Sequence, residues 1–234
     1  MIEVTYPLKP KAWSFSSIEL YKLCPKKYQA ERLTKEVEYT DTVATLYGKE
    51  MHTACEDYVN GRPLHAHYNY TKPVLDSILK MKGEKFTELK LGLKFEEGKW
   101  VACDFDDVNV AFRGVADLIV LDGTRARVLD YKSSAKKSVR YAKPAQLELM
   151  AACVFALYPE VEEVRGALLF LVAGEVISNV YKRENMQSIF DYYHDDLRRR
   201  EGSYNSGVFN AEPNSLCRQW CSVTCIYNGK HNGR

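Results

Sequence analysis

The sequence lacks what would commit it to a membrane, a fibre or a disordered state. Its longest apolar runs, such as GALLFLVAG at 166–174, fall far short of the ~20 residues that span a bilayer. Neither end shows the basic stretch and apolar core of a signal peptide, so a soluble, cytoplasmic protein is expected. There is no internal repeat and no low-complexity segment, and 46% hydrophobic with 27% charged residues excludes disordered and collagen-like chains. Net charge is almost absent as well: 33 basic against 31 acidic residues leave +2, so the whole molecule is no general electrostatic sponge for nucleic acid. Seven cysteines without a secretion signal do not read as a disulfide framework.

What is present is a helix-rich first third followed by alternating segments. WSFSSIELYKLCPKKYQAERL reads as a helix capped by Ser16 or Ser17, stopped at Cys24-Pro25, with a second short helix behind it. A helix is expected from about Thr42 to Tyr58, capped by Thr40 or Asp41 and closed by Gly61; it carries His52 and Glu56 four residues apart, on one face. After a helical stretch around KPVLDSILKMK, FTELKLGLKFE and WVACDFDDVNVAFRG alternate as a strand meander, with the acids near Asp106 marking a hairpin loop. KPAQLELMAACVFALYP reads as a buried helix entered at Pro144, EVRGALLFLVAGEVISNVYKR as two strands around Gly174, and ENMQSIFDYYHDDLRRREG as one amphipathic helix ending in a basic cluster. The fold class expected is α/β: a central mixed sheet flanked by helices, in one domain. Its parts are a helical N-terminal layer (1–85), an α/β core (86–201) and a cysteine-bearing tail (202–234).

The chemistry concentrates in FRGVADLIVLDGTRARVLDYKSSAKK, residues 112–137, which sets Asp117, Asp130 and Lys132 inside apolar strand patterns. A carboxylate there costs stability or binds something. A two-residue turn at Asp122-Gly123 pairs Asp117 with Val128, and a four-residue loop pairs it with Asp130; either puts the acids and Lys132 on one face, whereas a three-residue loop separates them. Acids about 5 to 8 Å apart across strands repel unless a cation lies between them, and hard oxygen ligands suit Mg²⁺ or Mn²⁺ better than Zn²⁺. Lys132 could hold an attacking water or a phosphate oxygen. A structural ion pair is the competing account of the same residues. The basic run around them, Arg125, Arg127, Lys136, Lys137, Arg140 and Lys143, is either a solvated face or a phosphate-tracking surface.

GVAD, followed thirteen residues after its aspartate by DYK, resembles the core of the PD-(D/E)XK nuclease superfamily. SFSSIELYKLCPKKY, GKEMHTACE (G-x-x-x-H-x-x-x-E) and AQLELMAACVF, in that order, resemble its RecB-like branch, which includes RecB and AddAB nuclease domains, CRISPR-associated Fe–S exonucleases and phage exonucleases. The resemblance spans residues 14 to 155 and implies a restriction-endonuclease-like core and a metal-dependent DNA exonuclease acting on single strands or duplex ends. The alternatives are a structure-specific endonuclease, or a DNA-binding or assembly subunit of a recombination or CRISPR adaptation complex.

The resemblance further implies that His52, Asp117, Asp130 and the carbonyl of Tyr131 bind the metal and that Lys132 positions or activates water. Glu56 ranks below them, as a partner of His52 or of the metal. Gln146 would contact DNA or orient the site, alongside Lys136, Lys137 and Arg140. Met150 stands where the branch has a tyrosine. Glu88 reads first as a solvent-facing strand residue and second as an outer acid of the site. Cys24, Cys217, Cys221 and Cys225 resemble the ligands of a 4Fe–4S cluster, although C-x3-C-x3-C replaces the branch's usual C-x2-C-x5-C; zinc and no metal stay open. Cys55, Cys103 and Cys153 read as packing residues.

Overall fold

The computed structural model describes residues 5–37, 40–134 and 144–228. Two compact units emerge, one spanning Asp41–Asp191 and one built from the described residues of Met1–Thr40 and Tyr192–Arg234. No helix among the described residues is long and apolar enough to cross a membrane.

The unit 41–191 is organised by a six-stranded sheet. Its strands are β1 (Glu84–Glu96), β2 (Lys99–Cys103), β3 (Phe112–Asp122), β4 (Arg125–Lys132), β5 (Glu163–Phe170) and β6 (Glu175–Lys182), in the order β2-β1-β3-β4-β5-β6. Every neighbouring pair is antiparallel except β4 and β5, which run parallel. This is the mixed sheet flanked by helices that the alternation implies. Residues 104–111 form turns and no strand, in keeping with the hairpin loop expected near Asp106.

Helix α3 (Val43–Val59) is capped by Thr42, one residue later than expected. The Thr42 side chain accepts from the Thr45 amide, and Thr45 returns the bond to the Thr42 amide. Together with α4 (Lys72–Leu79), α3 supplies Met51, Cys55, Leu75 and Ile78 to a core against Leu118, Val120, Leu129, Tyr131, Ala167 and Leu169. Helix α5 (Ala145–Leu157), entered at Pro144 as expected, connects back towards β5 and is buried along most of its length. It approaches the sheet through small residues: a Cβ at Gly114 would lie 2.9 Å from Met150 Cε, and one at Gly166 would lie 3.0 Å from Leu147 Cβ. Met150, at the position where the resembled branch has a tyrosine, is thus a buried packing residue over β3.

Two expectations change. The β3–β4 hairpin turns at Gly123-Thr124, with Asp122 paired to Arg125, not at Asp122-Gly123; Gly123 takes the left-handed conformation at φ +61°, which only glycine adopts without strain. The segment expected as one amphipathic helix is broken into α6 (Met186–Asp191) and α7 (His194–Ser206), and α7 runs past Gly202 to Ser206 before Gly207 closes it at φ +76°. The basic cluster 198–200 therefore lies within α7 rather than at its negative pole, and Asp195 and Asp196 occupy the positive first turn instead.

In the other unit, α1 (Phe15–Leu23) is capped by Ser14 through a reciprocal pair with Ser17, so the cap precedes the expected serines. Proline-led α2 (Pro25–Tyr28) follows and continues as a π-helical turn, Gln29–Leu33. Arg200 of α7 is buried here, its Nε donating to Tyr28 Oη at 3.1 Å and its guanidinium 5.1 Å from the Tyr204 ring centre. Loss of Arg200 would leave the buried Tyr28–Tyr204 hydroxyl pair without that donor.

Candidate active site

The register of three strands sets acids side by side. The pairs Thr87↔Leu118 and Leu89↔Ala116 bracket Glu88 opposite Asp117. The β3–β4 ladder ends at Leu118↔Leu129, and one step further the same register sets Asp117 opposite Asp130. Adjacent strands lie about 4.8 Å apart, so Glu88, Asp117 and Asp130 form a row across β1, β3 and β4.

Two local departures from regular strand aim these groups. Past the last ladder pair, Asp117 Oδ2 accepts the Tyr131 amide at 2.7 Å, taking a backbone donor that a partner strand would otherwise use. Glu88 holds a left-handed backbone at φ +47° in mid-strand, an uncommon conformation for a residue with a Cβ and one that concentrates at functional sites.

Helix α3 completes the arrangement from above. Gly48 lets the helix approach the chain after β4, because a Cβ there would meet Ser133 Oγ at 3.1 Å. One turn on, His52 Nδ1 lies 3.4 Å from Asp117 Oδ2, and the imidazole stands edge-on to the Tyr131 ring at 5.9 Å. One ligand atom each from His52, Glu88 and Asp117 lie within 4.8 Å of one another, a spacing that a single cation can bridge. They line an open cleft of about 480 Å³ with Gly48, Lys49, Thr53, Glu56 and Val115.

Asp130 is engaged differently. Its Oδ1 accepts from Gln146 Nε2 at 2.8 Å, its Oδ2 lies 2.6 Å from Lys132 Nζ, and Lys132 donates to Gln146 Oε1 at 3.3 Å. Asp130, Lys132 and Gln146 thus close a three-membered polar network, supported from α5.

The electrostatics follow from crowding. Burial pushes the Asp130 carboxyl up to about 6, with the neighbouring Asp117 adding to the rise and Lys132 offsetting part of it. Partial burial and the charges of Asp117 and Glu56 raise Glu88. Burial alone would lower His52, but its hydrogen bond to Asp117 and the charges of Asp117 and Asp130 carry it above its ordinary value. Two carboxyls that resist ionisation, beside an imidazole drawn towards its charged form by the same acids, mark a concentration of negative charge that a divalent cation would relieve.

The structure thus brings together His52, Asp117, Asp130, Tyr131, Lys132 and Gln146, with Glu56 on the cleft wall. Lys136, Lys137 and Arg140 lie outside the described residues. Glu88 enters the metal-capable trio, whereas Asp130 is held by Lys132 and Gln146. Glu88, read second as an outer acid of the site, is set opposite Asp117 by the β1–β3 register, which depends on the intervening excursion through β2.

The four cysteines fall in the other unit. Cys24, Cys217, Cys221 and Cys225 form no disulfide and line one small cavity. The amides of Glu212 and Asn214 donate to the sulfurs of Cys24 and Cys217 at 3.4 and 3.3 Å, the kind of bond that stabilises ligating thiolates. No three of the four sulfurs lie within 4.8 Å of one another, which is wider than four thiolates around one zinc at about 2.3 Å bonds, roughly 3.8 Å apart, would be.

A family model described as the PD-(D/E)XK nuclease superfamily matches residues 12–226. No curated protein sequence matches the chain. A crystal structure from Eubacterium rectale, provisionally designated an exonuclease, is 12% identical, covers 92% of this chain and 90% of its own, and superimposes with a TM-score of 0.53. The crystal structure of SSO0001 is 15% identical over 82% of this chain and 78% of its own, with a TM-score of 0.46.

Proposed function

The chain belongs to the PD-(D/E)XK nuclease superfamily, and we propose that it is a divalent-metal-dependent DNA exonuclease of the RecB-like branch, working as a single nuclease domain. The observation that carries the reading is the strand-end constellation: His52, Glu88 and Asp117 with mutually close ligand atoms, next to the Asp130–Lys132–Gln146 network.

His52, Glu88 and Asp117 would hold Mg²⁺ or Mn²⁺, with Asp130 and the Tyr131 carbonyl neighbouring them and Glu56 at the outer wall. When bound, such an ion offsets charge on the phosphate oxygens and the leaving oxygen. Lys132 is the donor available to hold the attacking water or the developing oxyanion. Asp130 and Gln146 fix its ammonium from two sides, so Gln146 acts here as a positioning residue. No covalent intermediate is needed, since the nucleophile is water.

The cysteine cavity supports a 4Fe–4S cluster, with a structural role: Cys24 follows α1, the other three lie in the tail, and a shared cluster would tie the two chain ends together. A role in recombination, repair or CRISPR adaptation follows from the branch and not from any residue described.

Linear and covalently closed circular DNA incubated with Mn²⁺ test the reading. Linear DNA should be degraded from its ends, the closed circle should persist, and EDTA or Asp130→Ala should abolish the reaction. Equal loss of both substrates would refute exonuclease action, and an unchanged rate in Asp130→Ala would refute the site.

A further inference from the structure

The unit built from the chain ends carries an open groove of its own, where the π-helical turn Gln29–Leu33 meets the tail. Lys27, Arg32 and Lys35 line it against the single carboxylate of Glu31. Lys27 lies 3.6 Å from Glu31, but Lys35 spends its hydrogen bond on the Glu31 carbonyl, and the exposed Arg32 guanidinium has no partner among the described residues. Among the described residues that line the groove, the net charge is therefore positive.

Opposite these cations stands Trp220, 73% exposed. An indole normally buries its large apolar face. Here the backbone around it is fixed: Cys221 and Val223 pack on buried Ala30, and the amides of Trp220 and Cys221 both donate to the Leu216 carbonyl at 3.0 Å. A rigid loop thus holds a flat aromatic face in solvent beside unpaired positive charge.

We propose that this groove binds a single strand of nucleic acid, one base stacking on Trp220 while Arg32 and Lys35 take the flanking phosphates. A single strand is favoured because a duplex hides its base faces, and because base stacking with cationic backbone tracking is the general mode for unpaired strands. An acidic peptide would satisfy the cations but leave the indole unused. The proposal rests on the nuclease reading for its ligand class and on none of the active-site residues.

The test uses the full chain in EDTA, so that no cleavage intervenes. Short fluorescein-labelled oligothymidylate and oligouridylate, and a blunt DNA duplex, are titrated and followed by anisotropy, with polyglutamate as competitor; the two oligomers separate DNA from RNA. Trp220→Ala should weaken single-strand binding by about tenfold. Trp220→Phe should restore most of it while removing the quenching of tryptophan emission that the strand causes. Arg32→Ala and Lys35→Ala should each flatten the dependence of log affinity on log salt by about 0.7. Wild-type affinity in Trp220→Ala, duplex binding as tight as single-strand binding, or displacement by polyglutamate at matched charge would each overturn the proposal. If the wild type degrades linear DNA with Mn²⁺ while Trp220→Ala binds normally, this inference fails and the nuclease reading stands. Strand binding through Trp220 in a protein that cleaves nothing would uphold the groove and overturn the nuclease.

Discussion

Asp130 should cost the metal-free protein stability, and Asp130→Asn should return it. Asp130 is 8% exposed, and burial lifts its carboxyl from 3.8 to about 6 despite Lys132 at 2.6 Å. At ~1.4 kcal/mol per tenfold change in proton affinity, holding the ionised form in the folded state costs about 3 kcal/mol. The sign follows from proton counting. Below about pH 4 the carboxyl is protonated both folded and unfolded, and nothing is lost. Between about pH 4 and 6 the unfolded chain gives up its proton while the folded one keeps it, so stability falls as pH rises; above 6 the full cost is in place. Against the opposing effect of burial, the hydrogen bond to Asp117 and the charges of Asp117 and Asp130 carry His52 above its ordinary value. Asparagine keeps an acceptor for Gln146 and cannot ionise, and Lys132 remains 30% exposed and so solvated without its partner. Urea unfolding in EDTA should therefore give the variant a stability advantage over wild type that grows by about 3 kcal/mol from pH 4 to 6.5, with nuclease activity lost. Parallel pH curves for the two proteins would refute the claim that the site holds this carboxylate at a cost.

Four further outcomes follow from the same geometry. Because a metal needs the neutral imidazole, the raised His52 makes ion binding release a proton, so Mn²⁺ affinity should fall up to about tenfold per pH unit below the His52 pKa; calorimetry in buffers of differing ionisation heat should show that proton, and His52→Ala should not. Glu88→Gln removes one of three crowded acids, so it should weaken Mn²⁺ binding at least about tenfold while raising, not lowering, the melting temperature without metal. Gln146→Ala should lower kcat by about 10- to 100-fold with KM little changed, since its amide holds Asp130 and Lys132; a rise in KM alone would make it a DNA contact instead. Anaerobically purified protein should be brown, and Cys24→Ser or Cys217→Ser should remove the colour; a colourless wild type would refute the cluster.

How far the sequence exposes this site depends on how local each constraint is. That Asp117, Asp130 and Lys132 share a face is legible because strand parity survives a shift of one whole pair, so misplacing the turn by one residue at each side leaves the inference intact. The His52 helix is legible because its periodicity and the closing Gly61 are local, although its cap falls on Thr42 rather than on Thr40 or Asp41. That Glu88 stands beside Asp117, rather than as an outer acid at best, is hidden for the opposite reason: its neighbour on β3 lies 29 positions away, and nothing near FTELKL encodes that pairing or the left-handed turn of its backbone. The break between α6 and α7 is equally non-local, since Tyr193 is buried in ring contact with Trp13, at the far end of the chain.

The site's position follows from where the β3–β4 ladder ends while both strands stay paired on their other sides. Inside the ladder, the pairs from Leu118↔Leu129 to Asp122↔Arg125 satisfy their backbone groups with one another, and no amide is available to a side chain. One step past it, the freed Tyr131 amide fixes the Asp117 carboxylate, Gly48 lets α3 close over the gap, and α5 reaches Asp130 and Lys132 through Gln146. A carboxylate moved two residues on along β3, towards the hairpin turn, would keep the same parity but meet paired backbone and the Val128 side of the core, with neither His52 nor a free amide in reach. Asp117 transplanted to position 119 should therefore destabilise the fold without restoring metal binding, whereas the native position costs little because the strand end has already given up the hydrogen bond that the carboxylate takes.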